Sequence, residues 1–118
     1  MEVLNDILGY KNRKIYQDSD CFSFSLDSVM LANFATIRFR DKKIADLGSG
    51  NGVVPLILSL RTDKEIVGVE IQKKLADMAE RSIKYNGLEN QIEIINQNMK
   101  DFVNDKNFES FDLITCNP

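Results

Sequence analysis

The sequence contains no histidine. That excludes Ser-His-Asp and Cys-His nucleophilic catalysis and every His-ligated zinc site. It also lacks a GxxxxGK[ST] stretch, which excludes nucleotide hydrolysis on a P-loop. Cysteine is scarce: Cys21 and Cys116 stand alone, without CxxC or any other metal-like spacing, and read as reduced, packed thiols. No metal is expected. No apolar run reaches the length of a transmembrane helix. The opening residues, MEVLNDILGYK, lack the basic n-region and small-residue cleavage site of a signal peptide. The expected location is therefore the cytoplasm, with no membrane partner. Neither sign of charge dominates, with 15 basic and 18 acidic residues. Basic groups gather only locally, at Lys11, Arg13 and Lys14 and at Arg38, Arg40, Lys42 and Lys43, where a solvated surface is their ordinary role.

What is present fits one small globular domain: 118 residues, 43% hydrophobic and 28% charged. Val3, Leu4, Ile7 and Leu8 recur at helical spacing before Gly9 and predict a short amphipathic helix. Residues Lys14–Gln17 and Cys21–Phe24 flank "DSD" and predict a β-hairpin. Ser25 is a candidate N-cap for a helix whose inner face would be Leu26, Val29, Met30, Asn33/Phe34 and Ile37.

From Lys43 onward strands and helices alternate. "KIADL", "EIVGVE", "QIEII" and "FDLITC" read as short apolar strands. Between them lie "VVPLILSL", with Pro55 tolerable only in a first turn, and "KKLADMAERSIKYNG", with Leu75, Met78, Ala79 and Ile83 on one stripe. A short helical segment near Lys100–Val103 precedes the last strand. Alternation of this kind argues an α/β fold with a doubly wound, parallel sheet. The expected division is an N-terminal part, 1–42, and a sheet-bearing part, 43–118.

Ligands of such sheets bind outside the carboxyl ends of the strands. "ADLGSGNG" lies at the end of the first strand of the series, where Gly48, Gly50 and Gly52 let a ligand approach the backbone and permit positive φ. Glu70 closes the next strand, where a carboxylate can accept both hydroxyls of an adenosine ribose. A dinucleotide would want GxGxxG and a pyrophosphate on the helix N-terminus. Here the spacing is GxGxG, and Asp46 would repel a pyrophosphate but attract the ammonium of an amino-acid ligand. S-adenosylmethionine carries an ammonium, a sulfonium and an adenosine ribose without phosphate, and the acid before the loop favours it.

Together, "ADLGSGNG", "VGVEIQ" and "FDLITCNP" resemble the cofactor loop, ribose acid and catalytic strand of class I S-adenosylmethionine-dependent methyltransferases. "LGYKNRKIYQ" and "FSFSLDSVMLANFA" resemble the bacterial branch that methylates an adenine exocyclic amine in a valine tRNA. The resemblance implies a Rossmann-like sheet with strand order 3-2-1-4. It assigns the cofactor to Asp46, Leu47, Gly48, Ser49, Gly50, Gly52, Glu70, Ile71, Asn98 and Met99. The catalytic pair is Asn117 and Pro118, the first half of that family's Asn-Pro-Pro-Tyr/Phe motif, so the chain reads as stopping inside it. In the implied chemistry the Asn117 side-chain oxygen and the Pro118 carbonyl accept hydrogen bonds from the target amine. Those bonds aim its nitrogen at the methyl and stabilise the charge that grows there. The implied partner is RNA, with tRNA expected. A fourth-strand edge left exposed would also invite self-association.

One position departs from the pattern. The family's usual aspartate toward the adenine falls on Asn98, a neutral and weaker acceptor, with Asp101 the nearest acid. Three other readings stay open: a protein-glutamine amide methyltransferase, a nicotinamide-dependent dehydrogenase, and a cofactor-binding half-domain without turnover.

Overall fold

A computed structural model of the chain describes residues 1–7, 10–18, 26–104 and 110–117. Four strands form a parallel sheet: β3 (Lys43–Leu47), β4 (Glu65–Glu70), β5 (Ile92–Asn96) and β6 (Leu113–Cys116), in the order β5-β4-β3-β6. Helix α2 (Val53–Arg61) connects β3 to β4, α3 (Lys73–Tyr85) connects β4 to β5, and the single-turn helix α4 (Met99–Val103) follows β5. This is the expected Rossmann-like α/β arrangement, with the strand order implied by the resemblance.

Alternating side chains divide the core between the two faces of this sheet. Ile44, Ile66, Ile92 and Ile94 pack with the apolar residues of α2 and α3 on one side. Ala45, Leu47, Val67 and Val69 pack with Phe102 of α4 on the other. Pro55 falls within the first turn of α2, where its missing N–H costs nothing. The stripe expected on α3 is buried, and Gly87 (φ 70°) ends the helix by letting the Leu88 amide reach the Ile83 carbonyl at 3.0 Å.

The N-terminal region differs from expectation. Residues Glu2–Ile7 form a strand, β1, instead of the amphipathic helix read from Val3, Leu4 and Ile7. It pairs antiparallel with β2 (Tyr10–Asp18), which is much longer than the strand expected over 14–17. Leu8, Gly9, Ser25 and the Cys21–Phe24 partner expected for this strand lie outside the described residues. Six residues are too few for a helix to persist without tertiary support. β2, by contrast, offers a ready ladder because it is itself anchored. The Tyr16 amide donates to Ser82 Oγ at 2.8 Å, and Lys14 exchanges both backbone groups with the Asn86 amide on α3. Only Ile7 of β1 is fully buried, so the helical spacing of its apolar residues never had a face to fill.

Helix α1 spans Leu26–Phe34, ending before Ile37, and it is rotated from the expected face. Ala32 is buried, and Val29 and Leu31 pack on the core, whereas Leu26, Met30 and Phe34 are exposed. The small Ala32 permits close approach to α2, and Arg61 Nη1 fixes the contact by donating to the Ala32 carbonyl at 2.7 Å. Among the described residues no helix is long and apolar enough to cross a membrane, and no three His, Cys, Asp or Glu side chains are grouped to hold a metal.

Candidate functional site

At the carboxyl end of β3 the chain turns sharply into the loop Gly48–Gly52. The amides of Gly48 and Ser49 both donate to the Val69 carbonyl, at 2.8 and 2.9 Å, which clamps the loop to the end of β4. Gly48, Gly50 and Gly52 all have positive φ, 71°, 57° and 95°. At Gly52 the reason is double, because an added Cβ would also lie 3.2 Å from the Ala79 Cβ of α3. Gly52→Ala is therefore expected to destabilise the fold by about 1–3 kcal/mol, the usual cost of a strained backbone conformation. Thermal unfolding measures it, and an unchanged midpoint would show that the loop can relax without loss.

Glu70 ends β4 nearly buried and organises this loop. Its Oε1 accepts the Gly50 amide and its Oε2 accepts the Gln72 amide, each at 2.9 Å. Each carboxylate oxygen can take a second donor, so the acid both holds the loop and keeps capacity toward a ligand. Ile71 beside it is largely exposed.

Two buried polar atoms in this region have no hydrogen-bond partner among the described residues: Asp46 Oδ2 and Ser49 Oγ. Asp46 is paired in register with Gly68 on one side and with Thr115 on the other. Gly68 has a steric role. A Cβ there would meet Ser49 Oγ at 2.9 Å and Ile94 Cδ1 at 2.8 Å, so its absence lets the Ser49 side chain sit over the sheet. On the other side Thr115 Oγ1 lies 2.7 Å from Asp46 Oδ1. Burial raises the Asp46 pKa to about 7, against the Thr115 hydrogen bond, which lowers it; the charge of Glu70 adds to the rise. A buried carboxylate with an unpartnered oxygen and no cation beside it among the described residues favours a positively charged ligand.

Asn117 follows β6 directly, and the last pair of that ladder sets Cys116 beside Leu47, so Asn117 emerges level with Gly48. Its Nδ2 donates to Ser28 Oγ of α1 at 2.8 Å. Its Oδ1 is thereby left to accept from another donor. Asn98 caps α4, its side chain accepting the Lys100 amide at 2.8 Å. The oxygen expected to face an adenine is thus partly committed to the backbone. Met99 is half-exposed, and its Cε lies 3.8 Å from where a Gly48 Cβ would stand, which brings α4 against the glycine loop. The structure therefore brings Asp46, Leu47, Gly48, Ser49, Gly50, Gly52, Glu70, Ile71, Met99 and Asn117 to one end of one sheet. Pro118 lies outside the described residues.

Residues 14–118 match the family model of the methyltransferase small domain. The chain belongs to the methyltransferase small domain family. Among curated members similar to it is the tRNA1(Val) (adenine(37)-N6)-methyltransferase of Haemophilus influenzae (strain PittEE), 32% identical over 111 residues, or 92% of this chain and 47% of that protein. The protein of the same name from Bacteroides thetaiotaomicron is 28% identical over 118 residues, 98% of this chain and 48% of its own length. This methyltransferase small domain chain thus spans about half the length of the curated relatives it matches. Its fold is shared with a solved SAM-dependent methyltransferase from Agrobacterium tumefaciens, at TM-score 0.75 and 20% identity over 99% of this chain and 39% of that one. It is shared also with M. capricolum TrmK, solved in complex with S-adenosyl-homocysteine, at TM-score 0.66 and 22% identity over 82% of this chain and 42% of that one.

Four residues of this methyltransferase small domain site escape a reading of the sequence. Ser28 holds Asn117, Thr115 holds Asp46, and Asn51 Nδ2 ties the glycine loop to the Tyr16 carbonyl of β2 at 3.1 Å. Asn96 Nδ2 donates to the carbonyls of Glu70 and Ile71, at 2.9 and 3.0 Å, and so locks the end of β4. All four join segments at least 25 residues apart, and Thr115 also passes for an ordinary β-branched strand residue.

Proposed function

We propose that this chain is the S-adenosylmethionine-binding part of a methyltransferase that acts on the exocyclic amine of an adenine in RNA, with tRNA as the RNA. One observation carries the proposal. Asp46, whose Oδ2 has no partner among the described residues, and Asn117, whose Nδ2 is held by Ser28, stand at the carboxyl ends of the neighbouring strands β3 and β6. In this reading the first would meet the ammonium of the cofactor and the second the target amine. The family and the names of the similar proteins support the same chemistry.

In this reading residues 43–118 carry the cofactor half and residues 1–42 flank it. The glycine loop lets the methionine part approach the backbone. Glu70 accepts from the ribose hydroxyls with the lone pairs that Gly50 and Gln72 leave free. Ile71 and Met99 offer apolar contact to the adenine ring, and Asn98 accepts from its amine. S-adenosylmethionine supplies the electrophilic methyl when bound. Asn117 and Pro118 accept from the target N–H groups, directing the nitrogen lone pair and stabilising the charge that develops on it.

Glu70→Ala is expected to weaken S-adenosylhomocysteine binding by about 1.5–3 kcal/mol, the cost of lost hydrogen bonds to a charged group. Equal affinity of variant and wild type in calorimetry would remove Glu70 from the site. The substrate is tested by labelled methyl transfer to unmodified bacterial tRNA, using this chain and a protein that carries it at the full length of its relatives. Label recovered as N6-methyladenosine from the full-length protein is expected. Label on another nucleoside, or on protein glutamine, would contradict the adenine assignment.

A further inference from the structure

We infer that Thr115 is a positioning residue that fixes the Asp46 carboxyl and sets the pH range in which the site can hold a cationic ligand. The inference rests on the cofactor reading above but concerns a contact that stands without any ligand.

Parallel pairing places Asp46 and Thr115 as direct neighbours on β3 and β6, on one face of the sheet. Both are almost wholly buried, and the Thr115 Oγ1 to Asp46 Oδ1 distance is 2.7 Å. Oγ1 also lies 3.5 Å from the Ala45 carbonyl, a second acceptor for the hydroxyl proton. Two hydrogen-bond patterns are therefore open to the pair. With Asp46 ionised, Thr115 donates to Oδ1. With Asp46 protonated, the carboxyl O–H can donate to Oγ1 while the threonine proton turns to the Ala45 carbonyl. Threonine serves both patterns because its hydroxyl donates and accepts. Valine, with the same shape, serves neither.

The surroundings decide which form prevails. On the β4 side of Asp46 the paired residue is Gly68, which contributes no side chain, and Glu70 two positions on brings a like charge. The buried side chains of α2 are all apolar. β6 supplies only the Thr115 hydroxyl. Burial thus favours the neutral acid, the effect that brings its titration to about 7, and Thr115 is the group that works in the other direction. A ligand ammonium at the free Oδ2 would favour the ionised form further. Binding must then strengthen as pH rises through the titration of Asp46, until the ammonium of the ligand itself begins to lose its proton.

The test has two readouts on the chain as it stands. The first is the Asp46 carboxyl titration, followed by carbon NMR in the unliganded protein. The second is the pH profile of S-adenosylhomocysteine affinity by calorimetry. In wild type the affinity should rise from pH 6 to 8. In Thr115→Val both the carboxyl titration and the rise in affinity should move upward by roughly one pH unit, the scale of a lost hydrogen bond to a carboxylate. Thr115→Ser should restore both. A merely structural role would lower affinity equally at every pH and leave the carboxyl titration where it was, and that result would overturn the inference. Failure of wild type to bind at any pH would instead overturn the cofactor reading. The NMR titration of Thr115→Val would then decide the Thr115–Asp46 link alone, with coincident curves sinking it. Should Thr115→Val fail to fold, Thr115→Ser and Thr115→Ala carry the same comparison.

Discussion

Asn117→Ala, in a protein carrying this chain at the full length of its relatives, is expected to lower methyl transfer by ~100- to 1,000-fold, the scale of losing one preorganised group from a developing charge. The reason lies in how the side chain is held. An aromatic exocyclic amine is a poor nucleophile because its lone pair is delocalised into the ring, so an acceptor must orient its N–H groups. Asn117 emerges from β6 level with Gly48, and Ser28 engages its Nδ2. The amide is thus turned with its oxygen available. Alanine removes the acceptor and the Ser28 contact together, but touches none of the groups assigned to the cofactor. Affinity for S-adenosylhomocysteine should stay within about threefold, which separates a loss in the transition state from a loss of binding. Labelled-methyl transfer and calorimetry on the same preparation check both parts. Full activity of the variant would show that Asn117 is not the amine acceptor.

Asp46→Asn should stabilise the unliganded chain at alkaline pH while abolishing its affinity for a cationic ligand. The sign follows from the raised pKa. Asp46 titrates near 7 in the folded chain, above its ordinary carboxylate value, so between those values the native state holds a proton that the unfolded state has released. Stability must then fall as pH rises across that window. Above pH 7 the native state carries an ionised acid in a buried site, at a cost on the order of 4 kcal/mol at ~1.4 kcal/mol per pH unit. Asparagine keeps the acceptor for Thr115 and removes the charge. Urea unfolding at pH 5 and pH 8 should show a wide gap between variant and wild type at pH 8 and a narrow one at pH 5. Parallel pH dependence in both proteins would mean that Asp46 ionises freely in the folded state.

A carboxyl group that destabilises its own fold unless a cation arrives is what a binding site looks like before binding. Glu70 is different, because both of its oxygens are already partnered. In the free chain its two oxygens take backbone amides, so the loop is preorganised by the residue proposed to meet the ribose.

Much of this could be read from the sequence because it rests on local rules. The strands from Lys43 onward are short and apolar on both faces, the helices between them have clear stripes and stops, and the glycines fall where the backbone turns into α2. These features need no knowledge of distant residues. The N-terminal segment is different. Val3, Leu4 and Ile7 satisfy a helical spacing and also lie in a segment that can extend, and only the docking of β2 on α3 decides between them. Likewise, the face that α1 buries is set by how closely Ala32 approaches α2 and not by its most hydrophobic stripe. At the site, the acids and glycines announce themselves. Ser28 and Thr115, which fix the two acceptors, are ordinary polar residues whose partners lie 89 and 69 positions away.

On the proposed reading, the end of this sheet holds an adenosine ligand bearing an ammonium and not a dinucleotide. Calorimetric titration of the wild-type chain at pH 8 tests it most directly, with S-adenosylhomocysteine in one arm and reduced nicotinamide adenine dinucleotide in the other. Saturable binding of S-adenosylhomocysteine alone is the expected result. Binding of the dinucleotide with no response to S-adenosylhomocysteine would contradict the assignment of Asp46 and of the glycine loop it precedes.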